Sequence, residues 1–197
     1  MLTEKESKVL RVVFSSFGEF YSVNQIARMC QIAPNGSLKI LKKFEKEGIL
    51  KKEIIGRLHS YTINFNTNKT MPIIQLALIS HLEGRVSHRY EDLAKLKDIA
   101  DIAILFGSYT NLSKNPNDLD ILFVIKKSNF DSYKKASKTI FQTIPIKVHD
   151  VIQTKEDMIQ NIADKDKVII NIIRTGVILW GQDKLIEIVK HGYPSHR

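Results

Sequence analysis

The chain has 197 residues, of which 43% are hydrophobic and 26% are charged, a composition that excludes disordered and fibrous proteins. Thirty basic and 21 acidic residues give a net charge of +9, which favours a nucleic-acid or phosphate partner. No apolar run approaches the roughly 18–20 residues that span a bilayer, the charged start lacks a secretory pattern, and the single Cys30 excludes an internal disulfide. We therefore expect a soluble cytoplasmic protein with no membrane partner.

The positive charge is concentrated in the first third of the chain. Residues 1–70 include 12 basic and 6 acidic residues, whereas residues 71–197 include 18 basic and 15 acidic residues. The segment from Asn66 to Pro72 is polar and ends in proline, which is typical of a linker or of a loop before a helix. The sequence therefore predicts two domains, residues 1–68 and residues 69–197.

Capping residues and apolar spacing predict three helices in the first domain. Thr3 and Glu6 have the spacing of a capping box and begin the first helix. Ser22 caps a short second helix. Ser37 opens a third helix, which ends at Gly48 because glycine commonly follows the last helical turn.

A β-hairpin follows the third helix, with strands predicted over residues 49–55 and 60–65 and a turn over residues 56–59. Residues 1 to about 66 thus have the element order of a winged helix, and they resemble the winged helix-turn-helix modules of prokaryotic transcription regulators. The most specific part of the resemblance is the passage from the third helix through an apolar pair into GR-x-x-x-Y. The resemblance implies that the third helix enters the DNA major groove and that the hairpin contacts the backbone.

The candidate DNA-contacting residues fall into two sets. Asn35, Ser37 and Lys39 stand where the third helix begins and are expected to reach base edges. Those on the rest of the helix and on the hairpin are expected mainly to contact phosphates: Lys42, Lys43, Lys46, Lys51, Lys52 and Arg57. A solvated lysine face, or a winged helix that docks proteins, is the alternative interpretation of this pattern.

The second domain contains a carboxylate pair beside a glycine–serine turn. After a helix predicted over residues 71–97, the buried strand 102–106 ends at Gly107 and Ser108. Asp118 and Asp120 begin the next apolar strand, and their i, i+2 spacing places both carboxylates on one face. A divalent cation such as Mg²⁺ would relieve their repulsion. Backbone amides at Gly107 and the Ser108 hydroxyl can approach a phosphate, so this part of the chain predicts a nucleoside triphosphate site.

A third acid, Asp150, lies in a later strand predicted over residues 146–152, where it shares the face of Val148 and Ile152. We predict Asp118, Asp120 and Asp150 as the catalytic, metal-binding residues of a two-Mg²⁺ site. His149 lies on the opposite strand face from Asp150, which favours a structural or solvent-facing role.

These residues carry a second resemblance, which covers residues 95–185. The run ILFGSYTNLSKNPNDLDILFV, with KVHDVI and GVILWG later, resembles the minimal nucleotidyltransferases of the DNA polymerase β superfamily. It implies that Gly107 and Ser108 hold the nucleotide phosphates and that the three acids hold the metals.

This sequence departs from the family pattern in the loop between the two strands. Many members carry an arginine and a glycine soon after the glycine–serine pair, and a serine before the paired acids. Here the corresponding residues are Asn111 and Leu112, and Asn117 precedes the acids. Lys114, Lys126 and Arg174 are candidate replacements for the missing arginine.

Together the two resemblances imply an α+β/α/β chain: a winged helix followed by a small mixed sheet with flanking helices. The leading function is transfer of a nucleoside monophosphate from an NTP, expected to be ATP, to a hydroxyl acceptor. A partner protein of the HEPN type is one candidate acceptor, and we expect a homo-oligomer. The alternatives are a DNA-binding regulator whose second domain senses nucleotide or mediates assembly, and an antitoxin that represses its own operon.

Overall fold

The computed structural model describes residues 2–17, 19–79, 85–110 and 116–192. The chain divides into two compact units, Met1–Ser80 and His81–Arg197. The first unit extends beyond the boundary predicted after residue 68, because the helix Thr70–Ile79 packs on the first helix of the chain. Arg11 of that first helix donates a hydrogen bond to the carbonyl oxygen of Leu78 (3.4 Å).

Three helices open the first unit: α1 (Glu4–Phe14), α2 (Val23–Cys30) and α3 (Pro34–Lys46). The predicted capping box of α1 is present, with the Thr3 hydroxyl accepting from the Glu6 amide and the Glu6 carboxylate accepting from the Thr3 amide. Ser22 caps α2 in the same manner. These local signals fix where the first two helices begin.

Helix α3 begins three residues earlier than predicted. Pro34 occupies its first turn after Ala33, which makes no side-chain cap, because the fixed φ of proline suits this position and its missing amide costs nothing there. Ser37 therefore lies inside the helix rather than at its start. It shares the i, i+4, i+7 stripe of Leu41 and Phe44, and its side chain is fully buried.

The hairpin consists of the antiparallel strands β1 (Leu50–Ile55) and β2 (Leu58–Ile63). Its turn has two residues rather than the four predicted, since Leu58 and His59 already pair with β1. Gly56 at the first central position has a φ of +60°, the conformation for which a two-residue turn selects glycine. The first unit thus has a winged-helix-like order of helices and hairpin, and helix α4 (Thr70–Ile79) completes it.

The helix predicted over residues 71–97 is divided between the two units. Helix α4 ends the described part of the first unit, and α5 (Arg85–Leu93) opens the described part of the second. Residues 80–84 lie outside the described residues.

The second unit is built on a four-stranded mixed sheet in the order β5-β4-β3-β6. The strands, with β4 parallel to β5 and antiparallel to β3, are β3 (Ala100–Phe106), β4 (Asp118–Ile125), β5 (Lys147–Gln153) and β6 (Val177–Trp180). On one face, Leu119, Ile121 and Phe123 are fully buried in a core. Phe123 meets Tyr133 of helix α6 (Phe130–Phe141) edge to face, with centroids 5.3 Å apart.

The helix predicted over residues 156–175 is two helices, α7 (Lys155–Ala163) and α8 (Lys167–Thr175). Asp166 interrupts it, because its carboxylate accepts from the amides of Val168 and Ile169 and so caps a new helix. Helix α9 (Gln182–Gly192) packs on α7. The prediction that helices and sheets are mixed along the chain is confirmed. In the described residues, no helix is both long and apolar enough to cross a membrane.

Candidate metal and nucleic-acid sites

The paired acids stand at the beginning of β4, next to the turn that ends β3. Phe106, the last residue of β3, is the register partner of Asp120. The following residues, Gly107 and Ser108, are therefore brought against the two carboxylates. This placement follows from the antiparallel pairing, since the end of one strand meets the beginning of the next.

Each carboxylate uses one oxygen on this turn. The Ser108 hydroxyl lies 3.4 Å from Asp118 Oδ1, to which it donates. Gly107 has a φ of +71°, and a Cβ at this position would stand 2.4 Å from Asp120 Oδ2. Glycine is thus required both by the backbone conformation and by the carboxylate that occupies the side-chain space. Gly107 and Ser108, predicted as phosphate contacts, lie beside the acids in the structure.

The other carboxylate oxygens face a histidine on the neighbouring strand. His149 on β5 is the parallel register partner of Asp120. Its Nδ1 lies 3.4 Å from Asp120 Oδ1 and 3.8 Å from Asp118 Oδ2. Ligand atoms of the three residues lie within 4.8 Å of one another. We call Asp118, Asp120 and His149 the carboxylate–histidine cluster.

Asp150 does not join this cluster, and its predicted place beside Asp118 and Asp120 is wrong. In the parallel register Asp150 is paired with Ile121, whose side chain is buried in the core on the opposite face. The buried Tyr133 hydroxyl donates to Asp150 Oδ2 at 2.8 Å. Burial raises the pKa of Tyr133, and the hydrogen bond to Asp150 raises it further. Asp150 thus serves as an acceptor for a buried phenol.

The cluster can hold one cation rather than two. Two carboxylates and one imidazole converge on a common point, but the third carboxylate that a shared two-metal site needs is on the other face of the sheet. The side chains remain accessible, with 40% of Asp118, 27% of Asp120 and 46% of His149 exposed. A cation held there would therefore keep open positions for water or phosphate.

The arginine expected after the glycine–serine pair has no replacement among the described candidates near the cluster. Lys126 follows the opposite end of β4, eight residues from Asp118. Arg174 lies in the last turn of α8. The substituted positions Asn111 and Leu112, and the candidate Lys114, lie outside the described residues.

A second candidate site is a polar stripe on the outer face of α3. Its residues are all exposed and are spaced i, i+4, i+7 and i+11: Asn35, Lys39, Lys42 and Lys46. This spacing aligns them along one side of the helix, opposite the buried Leu41 and Phe44. We call this set the α3 stripe.

Two residues predicted to contact DNA do not belong to the stripe. Ser37 is fully buried on the inner side of α3, so its predicted contact with base edges is wrong. Lys43 lies beside the stripe, where its ammonium is 2.6 Å from the Glu6 carboxylate of α1. Burial disfavours ionisation of Glu6, but hydrogen bonds from Lys43 and Thr3 outweigh it, so the pKa of Glu6 is lowered.

The hairpin presents basic side chains as predicted positions for phosphate contact. Lys52 and Arg57 are exposed, the latter in the turn. Lys51 is half-buried and lies 3.4 Å from the Glu53 carboxylate. The accessible cations of the hairpin that make no such pair are thus Lys52 and Arg57, among the positions that the sequence singled out.

Comparison with known proteins gives a single modest likeness. A solved structure of a ZitR variant from Lactococcus lactis is similar to this chain, with a TM-score of 0.36 and 22% sequence identity. The match covers 50% of this chain and 64% of the other, so the chain spans somewhat less than two thirds of the length of ZitR. No family model and no curated protein matches the chain. A functional proposal for this chain therefore rests on its own geometry.

His149 is the site residue that the sequence interpretation missed. The signal was present in the alternation of β5, where Val148, Asp150 and Ile152 share one face and His149 has the other. In β4 the acids alternate with the core residues Leu119 and Ile121. Because apolar faces of neighbouring strands meet in one core, the β5 residue beside the acids must have the parity of His149.

Proposed function

We propose that the chain is a DNA-binding protein that contacts the major groove through α3, and that its second unit binds a nucleoside triphosphate with a cation. The observation that carries the DNA-binding role is the α3 stripe. Three lysines and one asparagine stand in a single exposed row on the helix that precedes the hairpin. Lysines in such a row supply the phosphate attraction that dominates affinity for duplexes, and an exposed asparagine can pair with adenine.

The acidic residues nearby are directed away from this row or neutralised. The Glu45 carboxylate accepts a long hydrogen bond of 3.5 Å from the hydroxyl of the buried Tyr61 on β2. The Glu53 carboxylate accepts from Thr62 at 2.9 Å and pairs with Lys51. Their negative charge is therefore engaged within the first unit, which supports a basic outer face on α3.

The two elements have different roles in this proposal. Asn35 and Lys39 near the start of α3 are placed to contact base edges, whereas Lys52 and Arg57 on the hairpin contact phosphates. Loss of a base contact costs roughly 1–3 kcal/mol at a preferred site. Loss of a phosphate contact weakens all duplexes alike and lowers the salt slope by about one.

The test compares two lysines of the same helix. Lys39→Gln and Lys43→Gln remove the same charge, but only Lys39 belongs to the stripe, since Lys43 is paired with Glu6. Fluorescence anisotropy of the full chain with random and upstream duplexes, over a series of salt concentrations, gives affinity and salt slope. We expect Lys39→Gln to weaken binding and lower the slope, and Lys43→Gln to change both much less. Equal effects would mean that the stripe is only part of a diffuse positive charge, and absence of duplex binding at low salt would contradict the proposal.

Nucleotidyl transfer is a second candidate function, favoured by the orientation of the two carboxylates on the Gly107–Ser108 turn. In this reaction an acceptor hydroxyl oxygen bonds to the α-phosphorus of the NTP, the bond to pyrophosphate breaks, and the hydroxyl proton is lost to solvent. A bound cation would neutralise triphosphate charge at Asp118 and Asp120. The turn fixes one oxygen of each carboxylate, so the other oxygens are presented in a set orientation.

Turnover decides between the two roles of the second unit. The full chain is incubated with labelled NTPs, divalent cation and cell extract, and both pyrophosphate release and labelled acceptor are measured. Asp120→Asn should abolish nucleotide binding, whereas Asp101→Asn, which changes a carboxylate of β3 paired with Lys184, should not. Turnover supports transfer, and binding without turnover supports a nucleotide sensor. The predicted HEPN-type partner, the antitoxin role and the homo-oligomer stay predictions.

A further inference from the structure

We propose that the carboxylate–histidine cluster binds a single transition-metal ion of borderline softness, such as Co²⁺, Mn²⁺ or Zn²⁺, in preference to Mg²⁺, with His149 as the third ligand. This inference rests on the proposed nucleotide-binding role of the second unit, because it names the cation of that site. It replaces the expected two-Mg²⁺ arrangement of three acids, which the register of β5 does not allow.

The spacing of the ligand atoms suits one ion. Metal–ligand bonds of about 2.0–2.1 Å with tetrahedral angles place neighbouring ligand atoms about 3.3 Å apart. His149 Nδ1 lies 3.4 Å from Asp120 Oδ1 and 3.8 Å from Asp118 Oδ2. These separations need only small side-chain movements to close on a common ion.

The turn before the acids leaves the correct oxygens free. Asp118 Oδ1 accepts from Ser108, and Asp120 Oδ2 fills the space beside Gly107. The remaining oxygens, Asp118 Oδ2 and Asp120 Oδ1, are those that face His149. Outer contacts of this kind orient ligands toward a metal and strengthen its binding.

The chemistry of the ligands decides which ion is preferred. Mg²⁺ requires oxygen ligands in near-ideal octahedral geometry and is bound through carboxylates, phosphates and water. An imidazole nitrogen instead suits first-row transition metals. Since one of three protein ligands is His149, replacing a carboxylate by an imidazole shifts the preference of the site away from Mg²⁺.

A different arrangement of the same residues would bind no metal. A protonated His149 could itself neutralise the two carboxylates as an ion pair. The experiment therefore has to detect a bond between a metal and nitrogen, in addition to measuring an affinity.

The test is a titration of the full metal-free chain with Co²⁺, followed by visible absorption, and with Mg²⁺ in competition. We expect Co²⁺ to bind more tightly than Mg²⁺. His149→Gln should lower Co²⁺ affinity by at least about tenfold, while Mg²⁺ affinity changes by less than about twofold. His88→Gln, a change at an exposed histidine of α5, should alter neither. Pulsed EPR of the wild-type chain with Mn²⁺ should show a directly coordinated nitrogen.

Unchanged Co²⁺ affinity in His149→Gln, no nitrogen coupling, or equal affinity for Co²⁺ and Mg²⁺ would overturn the inference. Nucleotide binding is measured on the same samples with Mg²⁺ and ATP. If Asp120→Asn abolishes that binding and His149→Gln does not, the proposed nucleotide site stands and only the choice of metal fails. If no cation and no nucleotide binds the wild-type chain, both fail.

Discussion

Substitution of Gly107 by alanine separates the stability of the second unit from the function of its cluster. The φ of +71° is strained for a residue with a side chain, at a cost of roughly 1–2 kcal/mol. The new Cβ would also stand 2.4 Å from Asp120 Oδ2, so this carboxylate must move by roughly 1 Å to reach normal contact. The carboxylate is the end of a side chain and can rotate, and the added cost in stability is therefore small.

The same rotation carries Asp120 Oδ1 away from His149. Because a misplacement of about 1 Å can cost roughly a hundredfold at a positioned site, we expect cation and nucleotide affinity to fall by about ten- to hundredfold. Stability should fall only by the cost of the backbone strain. The assays are chemical denaturation of the full chain, followed by circular dichroism, and calorimetric titration with cation and with ATP.

Gly48→Ala is the matched control for the backbone strain. Gly48 has a φ of +78°, and a Cβ there would meet only Thr67 Cγ2 at 3.5 Å, an ordinary contact. We expect a similar loss of stability with no change in cation affinity. If Gly107→Ala binds cation and ATP as the wild type does, Asp120 is not part of a binding site and the reasoning is refuted.

Three further predictions test the placement of individual residues. Asp150→Asn should leave cation affinity unchanged, whereas Asp120→Asn should abolish binding, because only the latter faces the cluster; calorimetric titration measures both. Ser37→Ala should leave duplex affinity unchanged in anisotropy and raise the free energy of unfolding by up to about 1 kcal/mol, since its buried hydroxyl has no hydrogen-bond partner among the described residues. The pKa of Glu6 is below its ordinary value of 4.5, so its pairing stabilises the fold above that value, and this stability is lost as the pH falls through the lowered pKa; Lys43→Gln should flatten the profile of melting temperature against pH in that acidic range.

Each of these predictions has a distinct contrary result. Loss of cation binding in Asp150→Asn would restore the three-acid arrangement. Weaker duplex binding by Ser37→Ala, with unchanged stability, would mean that α3 is rotated relative to its described position. An acid profile that is the same with and without the ammonium of Lys43 would show that other carboxylates determine acid stability.

Elements with strong local signals could be predicted from the sequence. The capping boxes at Thr3 and Ser22 depend on residues three positions apart, and both are present. The acids of β4 were expected on one face because a strand alternates with a period of two, and their common contact with His149 agrees with this. In these cases no distant part of the chain competes with the local preference.

The errors arise where register or a competing local preference decides. Asp150 has the correct residue type for a metal ligand, but which β5 residue stands beside Asp120 depends on strand pairing, and a shift of one residue exchanges the faces. Ser37 is a favourable cap, but Pro34 starts α3 one turn earlier and turns the serine inward. The break at Asp166 was missed because the apolar pattern continues on both sides of the cap that it forms.

The most direct measurement of the DNA-binding claim uses two charge-matched triple variants of the full chain. One replaces Lys39, Lys42 and Lys46 of the α3 stripe by glutamine, and the other replaces three exposed lysines of α6: Lys134, Lys135 and Lys138. Both lower the net charge by the same amount. We predict that the stripe variant loses duplex affinity and that its salt slope falls by about three, close to one for each phosphate contact removed, while the α6 variant keeps the slope of the wild type. Equal losses in the two variants would contradict binding through α3.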